Sequence, residues 1–218
     1  MVIDCHYHLE ERVLDKAALL QEMDRSGVKK AALMGSMIAP FPEPPRVLLR
    51  ILQAILENRR LRKLGQILVA NFTRDGDIKI LGKPFRIVID PDNGPVFDAV
   101  RDFPGRFLGW VFVNPRGRGD QMTELQRYRD EPGFIGVKAH PFWHRFAPVE
   151  LLPVARVLAD LKKPLLIHCG FGEEGNYRAL LSKVPELRLI LAHTGFPAYS
   201  DTWRDILRMN NVYLDVSQ

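Results

Sequence analysis

Short apolar runs recur along the chain, and most are followed by a helical period or a turn signal. Val2 to His8, Lys30 to Met34, Phe107 to Val113, Phe134 to His140, Pro164 to His168, Leu187 to Ala192 and Val212 to Val216 read as strands. Most are apolar almost throughout, the pattern of strands covered on both faces. Helical spacing marks Leu14 to Ser26, Val96 to Arg101, Met122 to Arg129, Val149 to Leu161, Tyr177 to Val184 and Trp203 to Met209. In the first of these, Leu19, Leu20 and Met23 share a side, and Gly27 follows as a C-terminal cap. This alternation predicts βα units and a mainly parallel sheet. The strand count is seven, one short of the eight of a closed parallel barrel. A doubly wound open sheet is the competing architecture, although no Gly-x-Gly-x-x-Gly follows a strand.

The rhythm breaks at about 40–95. Pro40, Pro42, Pro44 and Pro45 open this segment, and a helix is predicted over Arg46 to Arg60. Its polar stripe is Arg46, Arg50, Gln53, Glu57 and Arg60, and the wide apolar face between needs cover from the core or from a second subunit. Ile67 to Phe72 and Phe85 to Ile89 are expected as an extra strand pair around Asp75-Gly76-Asp77. The whole of 1–218 reads as one domain with this stretch inserted.

Candidate chemistry concentrates where strands end. Of the six histidines, His6, His8, His140, His168 and His193 fall in or at the end of a predicted strand, and His144 follows one closely. Asp4, His6 and His8 have period-two spacing, so a regular strand turns all three to one side. Two imidazoles so spaced can share a metal ion, and Asp4 could orient one of them. His168 precedes Cys169-Gly170, and His193 precedes Thr194-Gly195, which puts nitrogen donors at two further strand ends. His6, His8, His168 and His193 are therefore the expected metal ligands. Lys138 and His140 share a face in Gly136-Val137-Lys138-Ala139-His140-Pro141. An ammonium inside a strand needs a partner, and His140 could bind substrate or move a proton.

Composition narrows the class. The chain has 218 residues, 46% hydrophobic and 26% charged, with a formal net charge of +5, ordinary for a soluble globular protein. The basic cluster Arg59, Arg60, Arg62 and Lys63 is too small for a nucleic-acid groove. The two cysteines form no CxxC pair, against a thiolate zinc knuckle or a redox motif. No basic leader and no spanning apolar run is visible. A cytoplasmic protein with a small-molecule substrate is expected, without nucleic acid or membrane, and with a homo-oligomer as an option.

Ile3-Asp4-Cys5-His6-Tyr7-His8, Gly136-Val137-Lys138-Ala139-His140-Pro141, His168-Cys169-Gly170, Leu191-Ala192-His193-Thr194-Gly195 and Val212-Tyr213-Leu214-Asp215 resemble, in that order, the amidohydrolase-2 family of metal-dependent amidohydrolases. That group includes aminocarboxymuconate-semialdehyde decarboxylase. The resemblance implies an α/β fold, a distorted TIM-type (β/α) barrel, with the eighth strand absent from this sequence. It implies that His6 and His8 form the strand-one pair, and that His168 and His193 are ligands after strands five and six. Lys138 matches a strand-four lysine. The family's aspartate after strand eight has no counterpart here, and Asp215 matches the strand-seven segment instead. The expected cofactor is a divalent ion, Zn²⁺ first, with Mn²⁺ or another ion as alternatives. The expected activity is hydrolysis of a small amide, lactone or related carbonyl compound, with His193, His140, Lys138 and Asp215 as catalytic candidates. The alternatives are decarboxylation of a small unsaturated carboxylic acid, and metal or ligand binding without catalysis.

Overall fold

A computed structural model describes residues 1–38, 47, 50, 78–80, 83–85, 88–168, 177–195 and 199–217. The chain divides into two units, Met1–Ser36 with Asp90–Gln218, and Met37–Ile89. The strands in chain order are β1 (Val2–Leu9), β2 (Val28–Gly35), β3 (Ile78–Ile80), β4 (Lys83–Phe85), β5 (Phe107–Val113), β6 (Phe134–Ala139), β7 (Pro164–His168), β8 (Arg188–Ala192) and β9 (Val212–Leu214). The helices are α1 (Lys16–Arg25), α2 (Gly94–Asp102), α3 (Gln121–Tyr128), α4 (Pro141–His144), α5 (Leu152–Asp160), α6 (Tyr177–Leu181) and α7 (Tyr199–Ile206).

In the first unit, seven strands form one sheet in the order β1-β2-β5-β6-β7-β8-β9, and every neighbouring pair is parallel. The order never reverses, as it would at the switch point of a doubly wound sheet. The sheet curls instead. His6 on β1 hydrogen-bonds Asp215 just beyond β9, so the first and last strands of the order face each other.

Alternation along each strand gives the sheet two faces. Leu33, Val111, Val113, Val137, Ala139, Leu165, Ile167, Leu189 and Leu191 pack into one core with Val96, Phe97, Leu125, Val154, Leu158 and Leu180 from the helices. The intervening Ala32, Met34, Trp110, Phe112, Lys138, Leu166 and Ala192 are also buried but lie outside that core, on the face enclosed by the curl. Register aligns Phe112 with Lys138, Lys138 with Leu166 and Leu166 with Ile190, so these four share the inner face. His8 aligns with Met34 on the same face. Both faces are covered, which is why the strands read as continuous apolar runs.

Several boundaries differ from the periodicity. Val149 to Leu161 is not one helix. A 3₁₀ turn over Pro148–Leu151 precedes α5, because Pro153 has no N–H to give an α-helical bond and fits only a first turn. β6 and β9 end one and two residues early, although the Asp215 N–H still donates to the Leu191 carbonyl at 2.9 Å. In the second unit β3 and β4 pair antiparallel; the strand pair expected at 67–72 and 85–89 is a different one. The first of those segments lies outside the described residues. So does most of the expected helix at 46–60, of which Val47 and Arg50 are described and are helical. Ile38 bridges Val88, and the Ile89 N–H donates to the Met37 carbonyl at 2.9 Å, so this unit begins and ends on paired backbone.

Candidate metal centre

Parallel strands point their carboxyl ends the same way, so residues at those ends collect at one mouth. The structure gathers there His8 from β1, His140 after β6, His168 at the end of β7, His193 after β8 and Asp215 after β9. Ring-centre separations are 5.5 Å for His6 and His8, 5.2 Å for His6 and His193, and 4.9 Å for His168 and His193. His140 stacks on His168 at 4.0 Å with 13° between planes. Phe112 closes the side, 6.2 Å from His8 and 5.7 Å from His144.

Three imidazoles are anchored through Nδ1 to oxygen acceptors. His6 Nδ1 donates to Asp215 Oδ2. His193 Nδ1 donates to the Ser217 carbonyl at 2.9 Å, and His8 Nδ1 makes a long 3.4 Å contact with the Gly35 carbonyl. A nitrogen that donates carries the proton, so Nε2 is the lone-pair nitrogen in the neutral form of each ring. Metal-binding histidines are held in this way, with the distal N–H on a carboxylate or carbonyl.

Asp215 and Ser217 form the bracket that holds two of these rings. The Ser217 N–H donates to Asp215 Oδ1 at 2.9 Å, and its hydroxyl donates to Oδ2 at 2.8 Å. The hydroxyl also lies 3.1 Å from His6 Nδ1 and 3.4 Å from His193 Nδ1. The Thr194 N–H donates to the Asp215 carbonyl at 2.8 Å. His193 and Thr194 both have φ of 54°, a left-handed conformation costly for a β-branched residue and held by these bonds.

Burial sets the protonation states. It lowers His8 to about 3, helped by Lys138 and His6, and lowers His168 to about 3, helped by Lys138 and His193. Burial also lowers His6, against the opposing pull of Asp215. For Asp215 burial works upward, but the His6 and Ser217 hydrogen bonds outweigh it and hold the carboxyl well below its usual range. Lys138 is fully buried, and its Nζ has no hydrogen-bond partner among the described residues. Burial lowers it to about 7, with Asp215 pulling upward.

These donors suit a divalent cation in chemistry and pairwise spacing. Two imidazoles on one zinc ion at about 2 Å have ring centres roughly 5 Å apart at the tetrahedral angle. Among the described residues, however, no group of three or more His, Cys, Asp or Glu side chains is already placed to hold an ion. The four rings form a chain, His8 to His6 to His193 to His168.

Asp4 does not join the site. A register irregularity between Asp4 and Tyr7 aligns Asp4 with Ala31 rather than with the inner face, and its carboxylate accepts the His6 backbone N–H at 3.0 Å. An irregularity of this kind re-aims every side chain before it. His144 is buried on the short helix after His140. Ser217, the Gly35 carbonyl and the Trp143 N–H were not legible as site groups. The period-two step from Asp215 to Ser217 was the one available signal. Cys169, Gly170, Phe171, Glu173 and Glu174 lie outside the described residues.

The amidohydrolase family model Amidohydro_2 matches residues 89–218, more than half of the chain. The chain belongs to the amidohydrolase family. The match takes in Lys138, His140, His168, His193 and Asp215, while His6 and His8 precede it. No curated protein matches the sequence. Among solved structures, this amidohydrolase is similar to an uncharacterised TIM-barrel protein from Bordetella bronchiseptica (TM-score 0.58, 15% identity, covering 92% of this chain and 59% of that one). It is similar to a probable 2-pyrone-4,6-dicarboxylic acid hydrolase from Acinetobacter baumannii (TM-score 0.54, 13% identity, 99% and 70%). It is also similar to 2,6-dihydroxybenzoate decarboxylase from Rhizobium (TM-score 0.53, 14% identity, 99% and 79%). At these identities the likeness concerns the fold, which is of TIM-barrel type.

Proposed function

We propose that this amidohydrolase hydrolyses a small carbonyl compound, an amide or lactone, at a divalent metal centre held by His6, His8, His168 and His193. The supporting observation is the anchoring of His6, His8 and His193 through Nδ1, which turns three Nε2 atoms toward one barrel mouth as the nitrogens available to a cation. A bound divalent ion, Zn²⁺ by this donor set, would polarise the carbonyl and lower the pKa of water. Asp215 acts as a positioning residue that fixes the His6 tautomer. Lys138, lowered to about 7 and with no Nζ partner among the described residues, donates to an oxygen of the substrate that gains negative charge.

Decarboxylation is the second reading. A buried amine able to become an ammonium suits the carboxylate of an unsaturated acid, and the barrel resembles that of a 2,6-dihydroxybenzoate decarboxylase. The test is product analysis on zinc-loaded protein with two substrates, 2-pyrone-4,6-dicarboxylate and 2,6-dihydroxybenzoate. Ring-opened acid without carbon dioxide supports hydrolysis, and carbon dioxide release supports the second reading. Zinc content that is unchanged in the His6→Ala/His8→Ala double variant overturns the metal centre itself.

A further inference from the structure

We propose that His140 is fixed as the Nε2–H tautomer and donates a hydrogen bond to an oxygen of the substrate, outside the metal shell. This rests on the reading above only in taking the same mouth as the place where substrate binds.

The backbone decides the tautomer. The Trp143 N–H donates to His140 Nδ1 at 3.2 Å. A donor can meet only a lone pair, so Nδ1 carries no proton and a neutral ring holds its proton on Nε2. This is the reverse of His6, His8 and His193, whose Nδ1 atoms face oxygen acceptors. The same side chain at one barrel mouth is thus prepared in two ways. Three rings offer a lone pair to a cation, and His140 offers a proton to an oxygen.

The cap is built into the chain. His140 is the N-cap of α4, and Pro141 occupies its first turn, where its fixed φ and missing N–H cost nothing. The His144 N–H donates to the His140 carbonyl at 3.1 Å, and the Phe146 N–H donates to the Pro141 carbonyl at 3.2 Å. These bonds hold the turn that lays the Trp143 N–H against the ring.

The remaining proton has no acceptor among the described residues. His140 is 4% exposed, and its Nε2 makes no hydrogen bond to any described residue. Unlike both ring nitrogens of His168, His140 Nε2 is not a buried atom, so its N–H opens to the mouth, where an oxygen of a bound molecule can accept it in place of water. The ring lies face to face with His168 at 4.0 Å, beside a proposed metal ligand. Binding the cation through Nε2 would require moving that proton to Nδ1 and losing the Trp143 bond. The matching acceptor is a carbonyl or carboxylate oxygen.

The test is long-range proton–nitrogen correlation NMR on histidine-labelled wild-type protein, with His140 assigned by its disappearance in His140→Gln. The expected spectrum shows His140 protonated at Nε2 and bare at Nδ1, with the same pattern after zinc is added. Addition of 2,6-dihydroxybenzoate to the zinc-loaded protein is expected to shift the Nε2–H signal. A proton on Nδ1, coordination of zinc by His140, or a His140 signal unmoved by the acid overturns the proposal. The tautomer is read without metal, so failure of zinc binding in the metal-centre experiment leaves this result intact and distinguishable.

Discussion

At the scale of single residues, the site stores free energy as unprotonated buried bases. His8 and His168 fall from an ordinary 6.5 to about 3. Between these values the unfolded chain binds a proton at each ring and the folded chain does not, so stability rises with pH and is lost as pH falls from 6.5 toward 3. The metal-free protein is expected to lose up to about 1.4 kcal/mol per pH unit for each ring across that window, read by urea denaturation at several pH values. Lys138 gives a complementary test. Its pKa falls from 10.5 to about 7, so its amine penalises the fold increasingly as pH drops through that range. Lys138→Met is expected to stabilise the protein by roughly 1–3 kcal/mol at neutral pH while abolishing turnover. A melting temperature that falls in this variant would show that the amine has a stabilising partner. The histidines themselves were legible, because an imidazole at the end of an apolar strand interrupts the pattern. Their anchors were not, because the Gly35 carbonyl and the Trp143 N–H belong to backbone that any residue could supply.

At the scale of elements, the strands hold the mouth together through close backbone approach. A Cβ on Gly136 would lie 2.3 Å from the Pro164 carbonyl oxygen and 2.7 Å from the Trp110 ring. Gly136→Ala is therefore expected to destabilise the chain by about 1–3 kcal/mol or more, measured from the urea midpoint. The segment after β9 carries the bracket on His6 and His193. Asp215→Ala is expected to weaken zinc binding by about 10–100-fold with little change in fold, as calorimetry would show. An unchanged zinc affinity would remove Asp215 from its positioning role. The βα rhythm predicted each strand of the parallel sheet within a few residues. It could not predict the irregularity in β1 that turns Asp4 away, because that depends on how β1 registers with β2.

At the scale of the whole molecule, a folded state that binds an ion should be stabilised by it. Zinc at 100 times its dissociation constant is expected to add about 2.7 kcal/mol, seen as a raised melting temperature that vanishes in His6→Ala/His8→Ala. The first unit should also survive without the second. A Cβ on Gly35 would lie 2.4 Å from the Asp92 carbonyl oxygen, so the chain leaves and re-enters that unit at neighbouring points. Replacing Met37–Ile89 with a short Gly/Ser linker is expected to leave one cooperative unfolding transition. The sequence by itself determined the parallel βα order and the residue types that gather at the strand ends, because these follow from periodicity and local chemistry. Only the tertiary structure decided that β1 meets the segment after β9, that Asp215 rather than Asp4 holds His6, and which ring nitrogen of His6, His8, His140 and His193 faces a donor or an acceptor. Those facts arise from pairings more than 200 residues apart and from the direction of single backbone groups, neither of which leaves a trace in local sequence.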